Sequence, residues 1–259
     1  MNDYYRFKFI NFLKGNIDLE YKEFKELLIK YFSEYINKLY EKYNCEFIVS
    51  TKMSAAGRCI GTEEIKINEY VVDNIYKGNL FYLTIIFHEI SHLDQNIKIG
   101  EGHYDENVLN YIKDQLLDIY QHEQNGKFYI FKPLSYYEKN YKCFSKEIEA
   151  DLNSILLFLN FSLENKINLS DETINMIETL AYQTKSNQTK KRYVGGNVIF
   201  NSYYLPLNEA FDFAIKDHPE WLEIYPQLKE EYYIMDYKVY KKDNINQELV
   251  DNSRTTCIC

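Results

Sequence analysis

Residues 81–100 read FYLTIIFHEISHLDQNIKIG, an apolar run with His88, Glu89 and His92 at its centre. Imidazole and carboxylate groups are costly in apolar surroundings unless something pairs with them. Leu83, Ile86, Phe87, Ile90 and Leu93 recur at helical spacing, so the stretch predicts a buried helix over residues 79–98. Positions four apart on a helix differ by about 40° around its axis, so His88 and His92 face the same way. Two imidazoles on one buried face, in a chain with only five histidines, point to a shared cation.

Bulk composition narrows the alternatives. The 259 residues are 46% hydrophobic, enough for a substantial core. Four prolines and nine glycines argue against long linkers or low-complexity tails. With Asp and Glu outnumbering Lys and Arg by 39 to 30, the net charge of −9 disfavours tight binding to a phosphate backbone. Nucleic acid is therefore not the expected partner. No uninterrupted apolar stretch is long enough for a membrane span. The opening MNDYYRFKFINFLKGN lacks the layout of a signal peptide and reads as an amphipathic helix, which favours a cytoplasmic protein that engages no membrane. Cys45, Cys59, Cys143, Cys257 and Cys259 are odd in number and show no CxxC spacing, so reduced thiols are expected. The terminal Cys-Ile-Cys matches a prenylation tail, with nothing else in the chain to support that use.

Around the central run, residues 18–42 carry apolar positions three and four apart, from Phe24 to Leu39, and predict a helix. CEFIVS (45–50) reads as a strand, TKMSAAGRCIG (51–61) as a loop, and TEEIKINEY (62–70) as a strand alternating Ile65 and Ile67 with polar neighbours. Gly100 and Gly102 are expected to break the central helix. ENVLNYIKDQLLDIYQHEQ (106–124) is helical in pattern. Ser145 is a plausible cap for a helix running KEIEADLNSILLFLNF, and Asp171 opens another. KRYVGGNVIFNSYYLP (191–206) reads as a loop or hairpin, and one or two final helices are expected before a polar tail. The fold class is α+β: mostly helical, with a small twisted sheet beside the central helix. One domain is expected, with a helical part at 1–44, a core at 45–160, a second helical part at 161–242 and a tail at 243–259.

The order His-Glu-x-x-His is the one zinc hydrolases use. Two imidazoles would hold the ion, and Glu89, one residue on, would serve as general base toward a water that the metal activates. A catalytic zinc needs a third protein ligand. Glu147 and Asp151 share one helical face, so Glu147 can complete a His2Glu set while Asp151 accepts a hydrogen bond from the spare nitrogen of a ligand histidine. Small Ala150 lets that helix come close. Glu149, about 200° from Glu147, is expected to point into solvent. His103, between glycines, is the alternative third ligand. His122 and His218 are read as surface residues.

HEISH followed by EIEAD resembles the gluzincin metallopeptidases, whose pattern is HExxH with a downstream ExxxD. The likeness covers roughly residues 45–160. SAAGRCIGTEEIKIN before the central helix is also similar to the SprT-like proteases, in which a third histidine completes the site, and this is where His103 gains its case. The ImmA/IrrE-like regulators share the minimal gluzincin core but carry Asn where Asp151 stands. The resemblance implies a zincin fold and a zinc-dependent peptidase with one catalytic Zn2+, held by His88, His92 and Glu147. Glu89 would be its base, and a protein or peptide its substrate. It further implies an edge strand that holds an extended substrate, for which EEIKIN (63–68) is the candidate. An oxyanion donor would come from Tyr104, Tyr193 or Tyr203. The alternatives are a non-catalytic interaction or regulatory protein on the same scaffold and a DNA-associated SprT-like protease.

Overall fold

The computed structural model describes residues 3–103, 109, 112–113, 116, 145–194, 197–200, 203–206, 215–216, 218–230, 232–235 and 238–241. Two compact units divide the chain: residues 1–103 with 142–189, and residues 104–141 with 190–259. The first holds the core and the candidate site.

That unit opens with α1 (Asp3–Leu13) and α2 (Tyr21–Leu39). Phe24, Leu28, Phe32 and Ile36 fall four apart on α2 and are all buried, so one stripe of the helix faces inward. A three-stranded sheet follows: β1 (Glu46–Ser50), β2 (Gly57–Ile60) and β3 (Glu64–Asn68), in the order β1-β3-β2. β1 runs parallel to β3, and β2 antiparallel to it. Ile65 and Ile67 of β3 are fully buried, and Lys66 between them points the other way, as a period of two requires.

Asn68 turns the chain from β3 into α3 (Glu69–Tyr76). Its side-chain oxygen accepts from the Tyr70 N–H at 3.2 Å, while its amide donates to the Met53 and Ala55 carbonyls. A 3-10 turn (Leu80–Tyr82) leads into α4 (Leu83–Gly100), the central helix. Leu83, Ile86, Phe87 and Leu93 are fully buried on it. Phe87 meets Phe32, Tyr35 and Phe161 edge-on or tilted, at centroid distances of 5.6 to 6.1 Å. Truncating such a ring to alanine would cost about 3–5 kcal/mol. α5 (Ser145–Glu164) packs along α4, with Ala150 fully buried at the approach, and α6 (Asp171–Val194) follows.

Several local expectations need correcting. The loop predicted over 51–61 contains strand β2, because Gly57–Ile60 pairs with β3 despite its glycine. Helix α3 is an addition to the elements expected from the sequence, since its eight residues are too few to establish a helical period. Gly100 lies inside α4, and Gly102, with φ 73°, follows the end of the helix. EEIKIN is no edge strand: β3 is paired on both sides, whereas β1 and β2 are each paired on one side among the described residues, and β2 is the one packed beside α4.

In the second unit, β4 (Asn197–Phe200) and β5 (Tyr203–Pro206) form an antiparallel hairpin, one of the two outcomes expected there. A helical turn at Trp221–Ile224 and a 3-10 turn at Pro226–Glu230 precede a second hairpin, β6 (Tyr232–Met235) with β7 (Lys238–Lys241). Of the one or two final helices expected there, the described residues show the turn at Trp221–Ile224, while strands β6 and β7 take up 232–235 and 238–241. YYIM and KVYK are rich in aromatic and β-branched residues, which suit a ladder better than a helix. Of the helix expected over 106–124, the four described positions (109, 112, 113 and 116) are helical, and the rest lies outside the described residues. No helix among the described residues is long and apolar enough to cross a membrane.

Candidate metal centre

Helix α4 presents His88 and His92 on one face, and the first turns of α5 bring Glu147 against them. The two Nε2 atoms lie 3.0 Å apart. Glu147 Oε2 is 3.5 Å from the Nε2 of His88, and Oε1 is 3.2 Å from that of His92. An ion with bonds of about 2.0–2.1 Å in tetrahedral geometry spaces its ligand atoms about 3.3–3.4 Å apart. The observed separations bracket that value. Among the described residues, His88, His92 and Glu147 are the group that could hold a metal ion.

The hydrogen bonds behind the rings say why a cation belongs there. Nδ1 of His88 lies 2.9 Å from Asp151 Oδ1, and a carboxylate oxygen accepts, so that ring nitrogen carries the proton. Nδ1 of His92 lies 2.8 Å from Gln95 Oε1. The amide of Gln95 is oriented by its other end, where Nε2 donates to the Lys146 carbonyl and to Glu149 Oε2, both at 3.0 Å. Its oxygen therefore faces His92, whose Nδ1 carries the proton as well. In the neutral rings both Nε2 atoms then present lone pairs to one point, beside a carboxylate. Three converging acceptors repel one another unless a positive charge lies between them. This is an electrostatic argument for a cation.

Glu147 is only 1% exposed, on the first turn of α5, where the helix dipole favours negative charge. Burial alone would raise its carboxyl; positive charge on the His88 and His92 side, reaching it as hydrogen bonds from those rings when they are protonated, outweighs this and holds it well below the ordinary carboxylate range. It is therefore an anion at neutral pH, as a ligand must be. Asp151, also buried, has a further neighbour in Thr184 of α6, whose Oγ1 lies 3.4 Å from Asp151 Oδ2 and 2.9 Å from the Leu180 carbonyl.

Glu89 is buried next to the ligand face and outside the ligand group, with its side chain against Gly57 of β2. Cys59, two residues along the same face of β2, feels that proximity: burial, and then the Glu89 charge, push its thiol well above the ordinary range. His103 stands apart from the group. Its side chain is 70% exposed and its Nε2 lies 3.3 Å from Glu101 Oε2.

Glu149 corrects another expectation. It does not point freely into solvent but is half-buried and accepts from Gln95. His218 is likewise half-buried, stacked on Trp221 and hydrogen-bonded to Glu220 at 2.6 Å. His122, Tyr104 and the side chains of Tyr193 and Tyr203 lie outside the described residues. Two residues that sequence reasoning passed over belong to the site. Gln95 had a signal, because a polar residue seven after His88 and three after His92 shares their buried face. Thr184 had none, being 33 residues from Asp151 in the chain.

Compared with known proteins, the chain matches no family model, no curated protein and no solved structure.

Proposed function

We propose that the protein is a zinc-dependent peptidase, with His88, His92 and Glu147 as the metal ligands and Glu89 as the general base. The reading rests on one observation: a converging set of two imidazoles and a carboxylate, with a second buried carboxylate alongside that is not part of it. A site serving structure alone would need no such second carboxylate. Two nitrogens, one oxygen and an open fourth position are the donor set zinc takes in hydrolytic sites. Zinc bound there supplies a Lewis acid that makes water nucleophilic near neutral pH and polarises the scissile carbonyl.

The chain's own residues do the rest. Glu89 takes a proton from the attacking water and returns it to the leaving amine. Asp151 and Gln95 fix the tautomer and orientation of the two imidazoles. The one-sided strand β2 offers main-chain N–H and C=O groups to an extended substrate, the usual way a sheet edge holds a peptide. The exposure of His103 and its contact with Glu101 speak against the SprT-like alternative, as does the net charge of −9. Free thiols at Cys45 and Cys59 suit a reducing compartment and the proposed cytoplasmic location.

The test pairs metal analysis with cleavage of a fluorogenic peptide library. Glu89→Gln should retain one zinc per chain and lose cleavage, whereas His88→Ala should lose both. A Glu89→Gln variant that cleaves as fast as the parent would remove Glu89 from the chemistry and the proposal with it.

A further inference from the structure

A glycine inside a strand weakens it and usually marks a place where something approaches the backbone closely. Gly57 stands in the ladder opposite Ile67, and its backbone is not in the left-handed region that glycine alone tolerates. Conformation therefore does not demand a glycine here; space does. A Cβ built on Gly57 would lie 2.6 Å from Glu89 Oε1, 2.7 Å from Cγ and 2.9 Å from Cδ. Because Cγ is among the atoms met, swinging the carboxylate aside does not relieve the overlap, and the whole side chain has to move.

The strand cannot retreat easily either. The neighbouring Ala56 carbonyl accepts from the Asn68 N–H at 2.9 Å, and the Ala55 carbonyl accepts from the Asn68 side chain at 3.2 Å. At Cys59, the next residue on this face, a side chain does fit, with its Sγ accepting from Asn96 Nδ2 of α4 at 3.7 Å. The gap at 57 is local to Glu89.

We propose that Gly57 is a positioning residue for Glu89: the space left by its missing side chain receives the Glu89 side chain and sets where the carboxylate stands beside the ligand histidines. The catalytic consequence rests on the peptidase reading; the contact itself rests on geometry alone.

Gly57→Ala tests it in two ways. In the zinc-loaded enzyme, kcat should fall about ten- to a hundredfold, as for a misplacement on the order of 1 Å, while KM changes by less than about twofold and zinc content stays at one per chain. Thermal melting of the variants made alone and together with Glu89→Ala gives a readout free of activity. Gly57→Ala should lower Tm in the parent and leave it unchanged once Glu89 is truncated, because the colliding atoms are gone. Parental kcat in Gly57→Ala, or an equal loss of Tm in both backgrounds, would overturn the proposal. If the zinc-loaded parent cleaves no peptide, the peptidase reading fails, and the melting cycle still decides the contact between Gly57 and Glu89.

Discussion

The two histidines of the candidate metal centre are supported in different ways. Behind His88 stands a carboxylate from α5, Asp151, with the Thr184 hydroxyl of α6 nearby. Behind His92 stands a neutral amide from its own helix, Gln95, tied to α5 through the Lys146 carbonyl and the Glu149 carboxylate. Both partners fix the ring by accepting from Nδ1. Only Asp151 adds a negative charge directly behind the imidazole, which raises its basicity as a ligand. The His88 side would therefore contribute more to the affinity for a metal ion. The His92 side contributes more to holding α4 and α5 in register, because Gln95 spans the two helices. The site would thus divide affinity and alignment between two similar-looking hydrogen bonds.

Glu147 is common to both sides, and removing it should have the largest effect. Glu147→Ala should leave zinc substoichiometric after dialysis against a weak chelator, while His103→Ala stays at one zinc per chain. Retention in the first with loss in the second would transfer the third ligand to the glycine-flanked loop. Next comes the comparison itself. Asp151→Ala should weaken zinc binding by something like 10–100-fold, and Gln95→Ala by about tenfold or less, since no charge is lost. Apo-protein melting should rank the two in the opposite order, with Gln95→Ala the more destabilising, because it cuts the ties to Lys146 and Glu149. Competition titration with a zinc indicator measures the first ranking and calorimetry the second. Equal affinities for the two variants would dissolve the distinction between the sides.

How much of this was legible in the sequence follows from the range of each contact. His88, Glu89 and His92 lie within one helical turn, and Glu147 and Asp151 within another, so helical geometry alone placed each set on its face. The docking of α5 on α4 was signalled by Ala150, a small residue at the approach. Gln95 was legible in principle but passed over, because its role depends on Glu149, which helical rotation alone assigns to solvent. Packing against a second helix changes what a given rotation faces. β2 looks like a loop in the sequence because its glycine and short length hide the period of two, and what Gly57 accommodates sits on another element. The hairpin β6–β7 is hidden in the sequence because four-residue strands give periodicity little to count. Contacts made within one element were readable; those made by a third element were not.

Thr184 offers the smallest effect and the finest test of the His88 side. Its single hydroxyl proton serves either the Leu180 carbonyl at 2.9 Å or Asp151 Oδ2 at 3.4 Å, and the shorter bond is the better one. A threonine bonding back to the carbonyl four residues earlier is also its common local habit within a helix. The hydrogen bond to Asp151 is therefore formed only part of the time, and its net worth is at the low end of the ordinary range, about 0.5 kcal/mol. Thr184→Val keeps most of the side-chain shape and removes the proton. Zinc affinity should fall by about two- to threefold, the factor to which 0.5 kcal/mol corresponds. An affinity unchanged within error would mean that the hydroxyl serves Leu180 alone, leaving Asp151 to be held by α5. A loss as large as that of Asp151→Ala would mean that α6 controls the carboxylate, extending the metal's support to a third helix.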